Sequence, residues 1–362
     1  MWQRMIPYIV ILFLSIVIVF CGVFSLENNC VKIQGCSKQI ELFAFFVFFF
    51  YLFFLTAFRS VEIGNDTIAY KNAFEYLVSN GVSQDFRLEK GFQYFCVFIG
   101  KIFPDFRFFL FIHSAICYGV VAYYVYFYSK NKYLSCLLTL CLCFSGFTNI
   151  LRQDLALVAG IVAYLFLKKG RIFAFVLLVV FAAQFHSTAY CLLILLFHRL
   201  FDVKPIYLFP IIVVVLVLSA ANFLVSPMLL VSDKYAYYLS SNRVGSGWLA
   251  LGYYMIRSIV FYMFAYYSFF PDSKSRSLTM SVFIIPIFFC AAGFQMNLIQ
   301  RMADFFFIFA VVELPNAYVQ TKRMQTQGTF ALLSLVLIAF FFISLIFKPD
   351  WNFLYPYSFF WN

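Results

Sequence analysis

Apolar residues in this chain come in long runs, and polar residues collect in the short gaps between them. The runs lie near residues 6–24, 41–58, 105–128, 133–147, 150–167, 172–185, 187–197, 207–225, 251–270, 279–295, 299–316 and 329–347. A helix crossing a bilayer needs about 20 apolar residues, and several of these runs are shorter. The strict alternation of a transmembrane barrel is absent, and in lipid the backbone must satisfy its own hydrogen bonds. The pattern therefore predicts an all-α polytopic membrane protein of about ten to twelve transmembrane helices, some of them arms of short broken hairpins. The stretch 92–103 is apolar but closed early by Lys101 and Pro104, which predicts an interfacial or re-entrant helix. Residues 1–24 read as a first span, because no small-residue cleavage site follows the apolar run. No internal repeat and no soluble insert interrupts the pattern, so residues 1–362 read as a single transmembrane domain.

The charged gaps orient the spans. Read as one helix, residues 172–197 would separate Lys168, Lys169 and Arg171 from Arg199 and Lys204, against the positive-inside rule. A hairpin folded at His186 puts both clusters on the inner side. Its arms, at 1.5 Å per residue, would be roughly 20 Å long, so His186 would lie below the outer surface. The same reasoning makes Asn149–Arg152 an outward break. Carried through, the alternation puts 25–40, 129–132, 168–171, 198–206, 271–278 and 318–328 inside. Outside lie both ends of the chain, a loop over 59–104, a second loop over 226–250 and a turn at 296–301. The inward loops hold nine Lys and four Arg, the remainder five Lys and eight Arg. Arginine favours bidentate phosphate recognition, so the outward face reads as the working face.

Composition sharpens this picture. The chain is 64% hydrophobic and 11% charged, with a mean hydropathy of +0.92. The net charge of +11 is spread one to three residues per loop, with no basic patch or tail, which excludes nucleic acid as a partner. It fits membrane topology together with an anionic substrate. The 54 phenylalanines suit lipid-facing positions. The ten cysteines lie mostly in apolar spans without zinc spacing; Cys30 and Cys36 could pair only in an extracytoplasmic loop. No P-loop, GxSxG, HExxH or dinucleotide fingerprint occurs, which argues against nucleotide-driven transport and a soluble-type hydrolase.

The candidate chemistry sits at the outward breaks. An ionisable group at membrane depth costs about 2.5 kcal/mol or more and normally faces a protein interior or a cavity. Arg152, flanked by Asn149 and Gln153, begins a span, and a guanidinium beside free helix N–H groups favours an anion such as a diphosphate. Snorkelling or a salt bridge to Asp154 is the plainer alternative. His186 titrates near neutrality and suits a general base or a hydrogen-bond donor to a sugar hydroxyl. Arg301, after Gln300, repeats the pattern of an arginine at an outward helix start, unless it merely pairs with Asp304. In the first outward loop Asn65 or Asp66 can cap a helix whose apolar face is Tyr70, Phe74 and Leu77. Arg59 and Asp66 border a polar cavity in the functional reading. Glu89 reads chiefly as a partner for an arginine. Loop 226–250 brings Arg243 with Tyr and Trp residues fit to stack on sugars, and Arg257 follows one turn into the next span.

Arg59 with Gly64-x-Asp66-x3-Tyr70, Glu89-x-Gly91-Phe92, Asn149-x2-Arg152-Gln153-x2-Ala156, Phe185-His186-Ser187 and Arg301 before Phe305-Phe306 together resemble the EpsG-like branch of the Wzy-type O-antigen and capsular polysaccharide polymerases, over roughly residues 50–320. The outer-loop residues Arg243 and Arg257 transfer least directly. The resemblance implies an architecture like that of the GT-C-like glycosyltransferases, set in the bacterial inner membrane with its active site facing the periplasm. It implies polymerisation of undecaprenyl-diphosphate-linked repeat units, donor and acceptor both lipid-linked, with a flippase and a chain-length regulator as partners. Neither a metal nor another cofactor is expected, since the lipid diphosphate is its own leaving group. On this reading Arg152 and Arg301 hold the diphosphate, His186 serves the acceptor hydroxyl, and Arg59, Asp66 and Glu89 shape the covering loop. An O-antigen ligase shares the donor and the Arg/His chemistry. A lipid-linked oligosaccharide flippase would show two related halves and charges along a central path. A membrane O-acyltransferase would need a histidine facing the cytosol.

Overall fold

The computed structural model describes residues 5–27, 34–84, 88–221, 223, 248–268, 276–293, 297–320 and 326–361. Arg243 and nearly all of loop 226–250 lie outside the described residues, as does Cys30. The described chain is helical throughout, apart from an isolated antiparallel bridge between Arg59 and Phe359. Its helices are α1 (Ile6–Glu27), α2 (Gln34–Ala57), α3 (Thr67–Asn80), α4 (Lys90–Ile102), α5 (Phe106–Tyr128), α6 (Lys132–Thr139), α7 (Ser145–Asn149), α8 (Leu151–Lys168), α9 (Ile172–Ala183) and α10 (Leu208–Ala220). They continue with α11 (Trp248–Ser268), α12 (Arg276–Ala292), α13 (Asn297–Arg301), α14 (Asp304–Gln320) and α15 (Thr326–Phe347).

The protein is an all-α membrane protein. Among the described residues three helices are long and apolar enough to cross a bilayer: Gln39–Ala57, Phe106–Tyr128 and Ile299–Val319. A fourth crossing results if Ser187–Phe201 and Pro205–Ala220, bent by 119°, count as one. The remaining apolar runs form shorter helices, among them Ile6–Val19, Ile172–Ala183, Arg276–Ala292 and Leu332–Phe347. Ile299–Val319 is the central element, with 83% of its apolar window buried, against 39% for Gln39–Ala57 at the periphery. Tyr164 of α8 stacks on Phe309 of α14 with ring centroids 4.3 Å apart, one of many aromatic contacts that fill this core.

Two local departures from simple helices stand out. The run 133–147 is interrupted by a π-helical turn at Leu140–Phe144; such turns recur at functional sites. The hairpin at His186 is present, since α9 packs against the returning segment Ser187–Phe201. Its two arms are wound differently. The 12 residues of α9 give about 18 Å at 1.5 Å each. The return, Ser187–Phe201, is wound as a 3-10 helix and kinked at Phe197, so its straight part before the kink is about 20 Å at a rise of about 2 Å per residue. Both arms are thus short, as expected, and shorter than the roughly 30 Å hydrocarbon core; what differs is the 3-10 winding of the second.

Polar contacts gather the loops at two ends. At one end Lys168 donates to Glu313 at 2.6 Å, Lys130 N–H to Asn316 Oδ1 at 2.8 Å, and Lys132 N–H to Glu41 at 3.4 Å. At the other end the segment after α15 folds back over the residues that follow α2. Ser60 N–H donates to the Ser358 carbonyl at 2.9 Å, Gly64 N–H to Phe353 at 3.0 Å and Phe360 N–H to Phe58 at 3.2 Å. Asn65 Nδ2 donates to the Trp351 carbonyl at 2.9 Å. The Tyr8 and Tyr357 hydroxyls donate to the carbonyls of Leu354 and Leu55. Gly64 takes φ +95°, and a Cβ there would fall 2.3 Å from the Thr148 carbonyl, so this crossing of loop and break requires glycine.

Candidate functional site

The candidate residues fall into three neighbourhoods at this second end. In the first, Arg152 of α8 forms an ion pair with Glu89, the residue preceding α4, rather than with Asp154. Its Nε–H donates to the Tyr70 hydroxyl at 3.4 Å. Tyr70, Phe74 and Leu77 form the buried face of α3 as the spacing predicts. The other Glu89 oxygen accepts from Ser187 N–H and Oγ, both at 3.4 Å. Partial burial pushes the Glu89 carboxyl up, but Arg152 and then His186 pull harder, leaving it below its ordinary value. His186 Nδ1 lies 2.5 Å from Thr188 Oγ1. Gly91 allows this convergence: a Cβ there would stand 2.6 Å from Gln184 Cβ and 2.7 Å from the Gln184 carbonyl. The start of α4 therefore lies directly against the His186 break.

The second neighbourhood is a cavity of about 380 Å³ among α7, α8, α11, α13, α14, α15 and the segment after α15. Asn149, Gln153, Arg257, Gln300 and Arg301 all line it. Arg152 and His186 do not, so the expected pairing of Arg152 with Arg301 around one anion is corrected. The reason is helical geometry: neighbouring positions point about 100° apart, so Arg152 turns to Glu89 while Gln153 and Asp154 turn to the cavity. Gln153 Nε2 donates to the Arg301 carbonyl at 3.3 Å. Asn149 accepts from Asn65 N–H at 2.6 Å and donates to the Ser145 carbonyl at 2.8 Å. Arg301 ends the short α13 and is exposed, while Asp304 begins α14, so the expected arginine at a helix start is displaced by three residues. Arg257 is seated against rings, 3.9 Å from the Phe307 centroid and 4.6 Å from that of Tyr254, and it donates to the Tyr253 hydroxyl at 3.3 Å.

Arg59 and Asp66 depart from expectation. Arg59 is 1% exposed. Its backbone bridge to Phe359 fixes the loop, and its side chain turns inward to donate to the Thr56 carbonyl. Burial pushes its guanidinium down to about 10, against the opposing pull of Tyr357 and Asp154. Asp66 precedes α3 but is exposed and makes no capping bond, so neither residue borders the cavity. Asp154, buried beneath the same region, forms the third neighbourhood with Arg59 and His113.

Sequence reasoning missed Lys348, Trp351 and Asn352, which line the cavity from the segment after α15. No periodicity or spacing links residue 351 to residue 65, because that contact is a long-range bond from the Asn65 side chain to the Trp351 carbonyl. Asp154 and Asp304, read only as partners for nearby arginines, also line it. Among the described residues no group of His, Cys, Asp or Glu is arranged to hold a metal ion.

A helical membrane protein with an arginine-bearing cavity at one end is the class these features define. The profile of the EpsG family matches residues 42–359, and the chain belongs to that family. Membership points to a polysaccharide-polymerase-like, glycosyltransferase-like role. The match reaches beyond the expected 50–320 to include the cavity wall after α15. No curated protein and no solved structure matches the chain.

Proposed function

We propose that this protein polymerises undecaprenyl-diphosphate-linked oligosaccharide repeat units, of O-antigen or capsule type, by metal-independent glycosyl transfer at the periplasmic face of a bacterial inner membrane. The observation that carries the reading is the cavity, where Arg257, Arg301 and Lys348 share a wall with Trp351 and Tyr253. Breaking a glycosyl–diphosphate bond leaves growing negative charge on the phosphate oxygens. Prepositioned guanidinium groups stabilise such charge most effectively where water is scarce. Arg257, held by three rings, supplies a fixed cation, and the exposed Arg301 meets the diphosphate from the cavity mouth. Trp351 and Tyr253 give flat apolar faces suited to sugar rings. The Arg152–Glu89 pair with Tyr70 braces the break that carries His186, so their contribution is to fix α4 against that break, outside the cavity wall.

The test is Arg301→Ala in a strain lacking the native gene. The variant is expected to insert at normal abundance while chain elongation drops about 100-fold or more. Surface glycan of normal length would remove Arg301 from the reaction. The deletion strain itself separates the related activities: a lipid core capped by one repeat unit marks a polymerase, an uncapped core a ligase, and substrate trapped inside a flippase.

A further inference from the structure

With His186 outside the cavity wall, that wall needs another group to take the acceptor proton. Asp154 lies on it and is 1% exposed. Neither of its carboxylate oxygens has a hydrogen-bond partner among the described residues. A buried carboxylate is normally supplied with donors, so two open oxygens on a cavity wall point to a ligand that donates there. The nearby groups do not fill this need. His113 Nε2 stands 3.9 Å from Asp154 Oδ2, and its N–H is already given to the Leu151 carbonyl at 3.0 Å. Arg59, behind Asp154, donates from Nη1 to the Thr56 carbonyl, and its Nε and Nη2 have no hydrogen-bond partner among the described residues either, so it balances the charge of Asp154 without bonding to it. Across from it Gly146 leaves space, a Cβ there standing 3.5 Å from Asp154 Oδ1. The cavity's other acid, Asp304, faces the cations Arg257 and Arg301, which suits it to balance their charge. Cys117 and Tyr118 of α5, Cys143 of the π turn and Tyr70 of α3 are the further titratable groups around Asp154.

We propose that Asp154 is the general base of the glycosyl transfer, a catalytic residue touching the acceptor sugar hydroxyl. This rests on the reading of the cavity as the transfer site. In the step, the acceptor O–H proton passes to the Asp154 carboxylate and the freed oxygen electrons form the bond to the donor's anomeric carbon. The bond from that carbon to the diphosphate oxygen breaks, its electron pair leaving with the diphosphate toward Arg301 and Arg257. Asp154 then loses its proton to water.

The experiment uses full-length protein in membrane vesicles, with lipid-linked repeat units extracted from the deletion strain, and undecaprenyl diphosphate as the binding probe. Asp154→Asn should lower kcat about 100-fold or more, with KM and probe affinity changed by no more than about threefold. If it loses stability because Arg59 is left unbalanced, the double variant Arg59→Gln/Asp154→Asn removes both charges. A stable but inactive double variant supports the base; a double variant with restored turnover shows that Asp154 only balances Arg59 and overturns the proposal. Wild-type kcat in Asp154→Asn overturns it equally. If Arg301→Ala abolishes probe binding while Asp154→Asn turns over normally, the base fails and the cavity stands. Failure of the wild type to bind the probe, with Arg301→Ala still active, removes the cavity reading itself.

Discussion

At the scale of single residues, Arg152, Gln153 and Asp154 show how one helical turn serves separate tasks. The first braces α4, the second holds the Arg301 backbone and the third opens on the cavity. Asp154, two positions along, was the partner the sequence suggested for Arg152, so which arginine Glu89 serves was hidden, but that it serves an arginine was legible. The inward turn of Arg59 was not, since it depends on a bridge to Phe359, 300 positions away by chain order. Gly91 carries the sharpest consequence. Gly91→Ala must push α4 off Gln184, costing about 1–3 kcal/mol of stability and parting Glu89 from Arg152, so elongation should fall with it. Gly119→Ala on α5, where an added Cβ meets nothing within 4 Å, should be neutral or gain up to about 1 kcal/mol. Thermal unfolding in detergent, with elongation measured alongside, distinguishes the two; equal behaviour would contradict the packing described.

At the scale of elements, runs of apolar residues located nearly every described helix within a few positions. α4 emerged as the short amphipathic helix its closing Lys101 and Pro104 predicted. The π turn and the 3-10 arm were hidden, because winding changes the rise and hydrogen-bond register without changing which residues are apolar. The central α14 carries a testable joint at its other end. Glu313 there is almost fully buried and accepts from Lys168 at 2.6 Å. Glu313→Ala should cost about 2 kcal/mol, discounted from a fully buried pair because Lys168 is partly in solvent. Elongation per folded molecule should stay unchanged, since the joint lies at the end opposite the cavity. Lost elongation at full stability would show that the two ends communicate.

At the scale of the whole molecule, charge in short loops divides the chain between two faces, an expectation that surface labelling can test. It did not reveal that one end is closed by a returning segment. The proposed orientation is tested by single cysteines at Ser187 and Lys169 in a background without other cysteines. A membrane-impermeant thiol reagent applied from the periplasmic side should label position 187 in intact membranes and position 169 only after permeabilisation. The reverse pattern would invert the protein and displace the proposed chemistry to the cytosol.

That returning segment also sets an order of events in biosynthesis. Lys348, Trp351 and Asn352 emerge from the ribosome after all the described helices, yet they wall the cavity and tie it to the first outward loop. Until they arrive, the inserted bundle holds an unfinished vessel, with arginines in place and one side bare to the surroundings. Under the proposed function, lipid-linked glycan would meet a walled cavity only after α15 and this segment have been made.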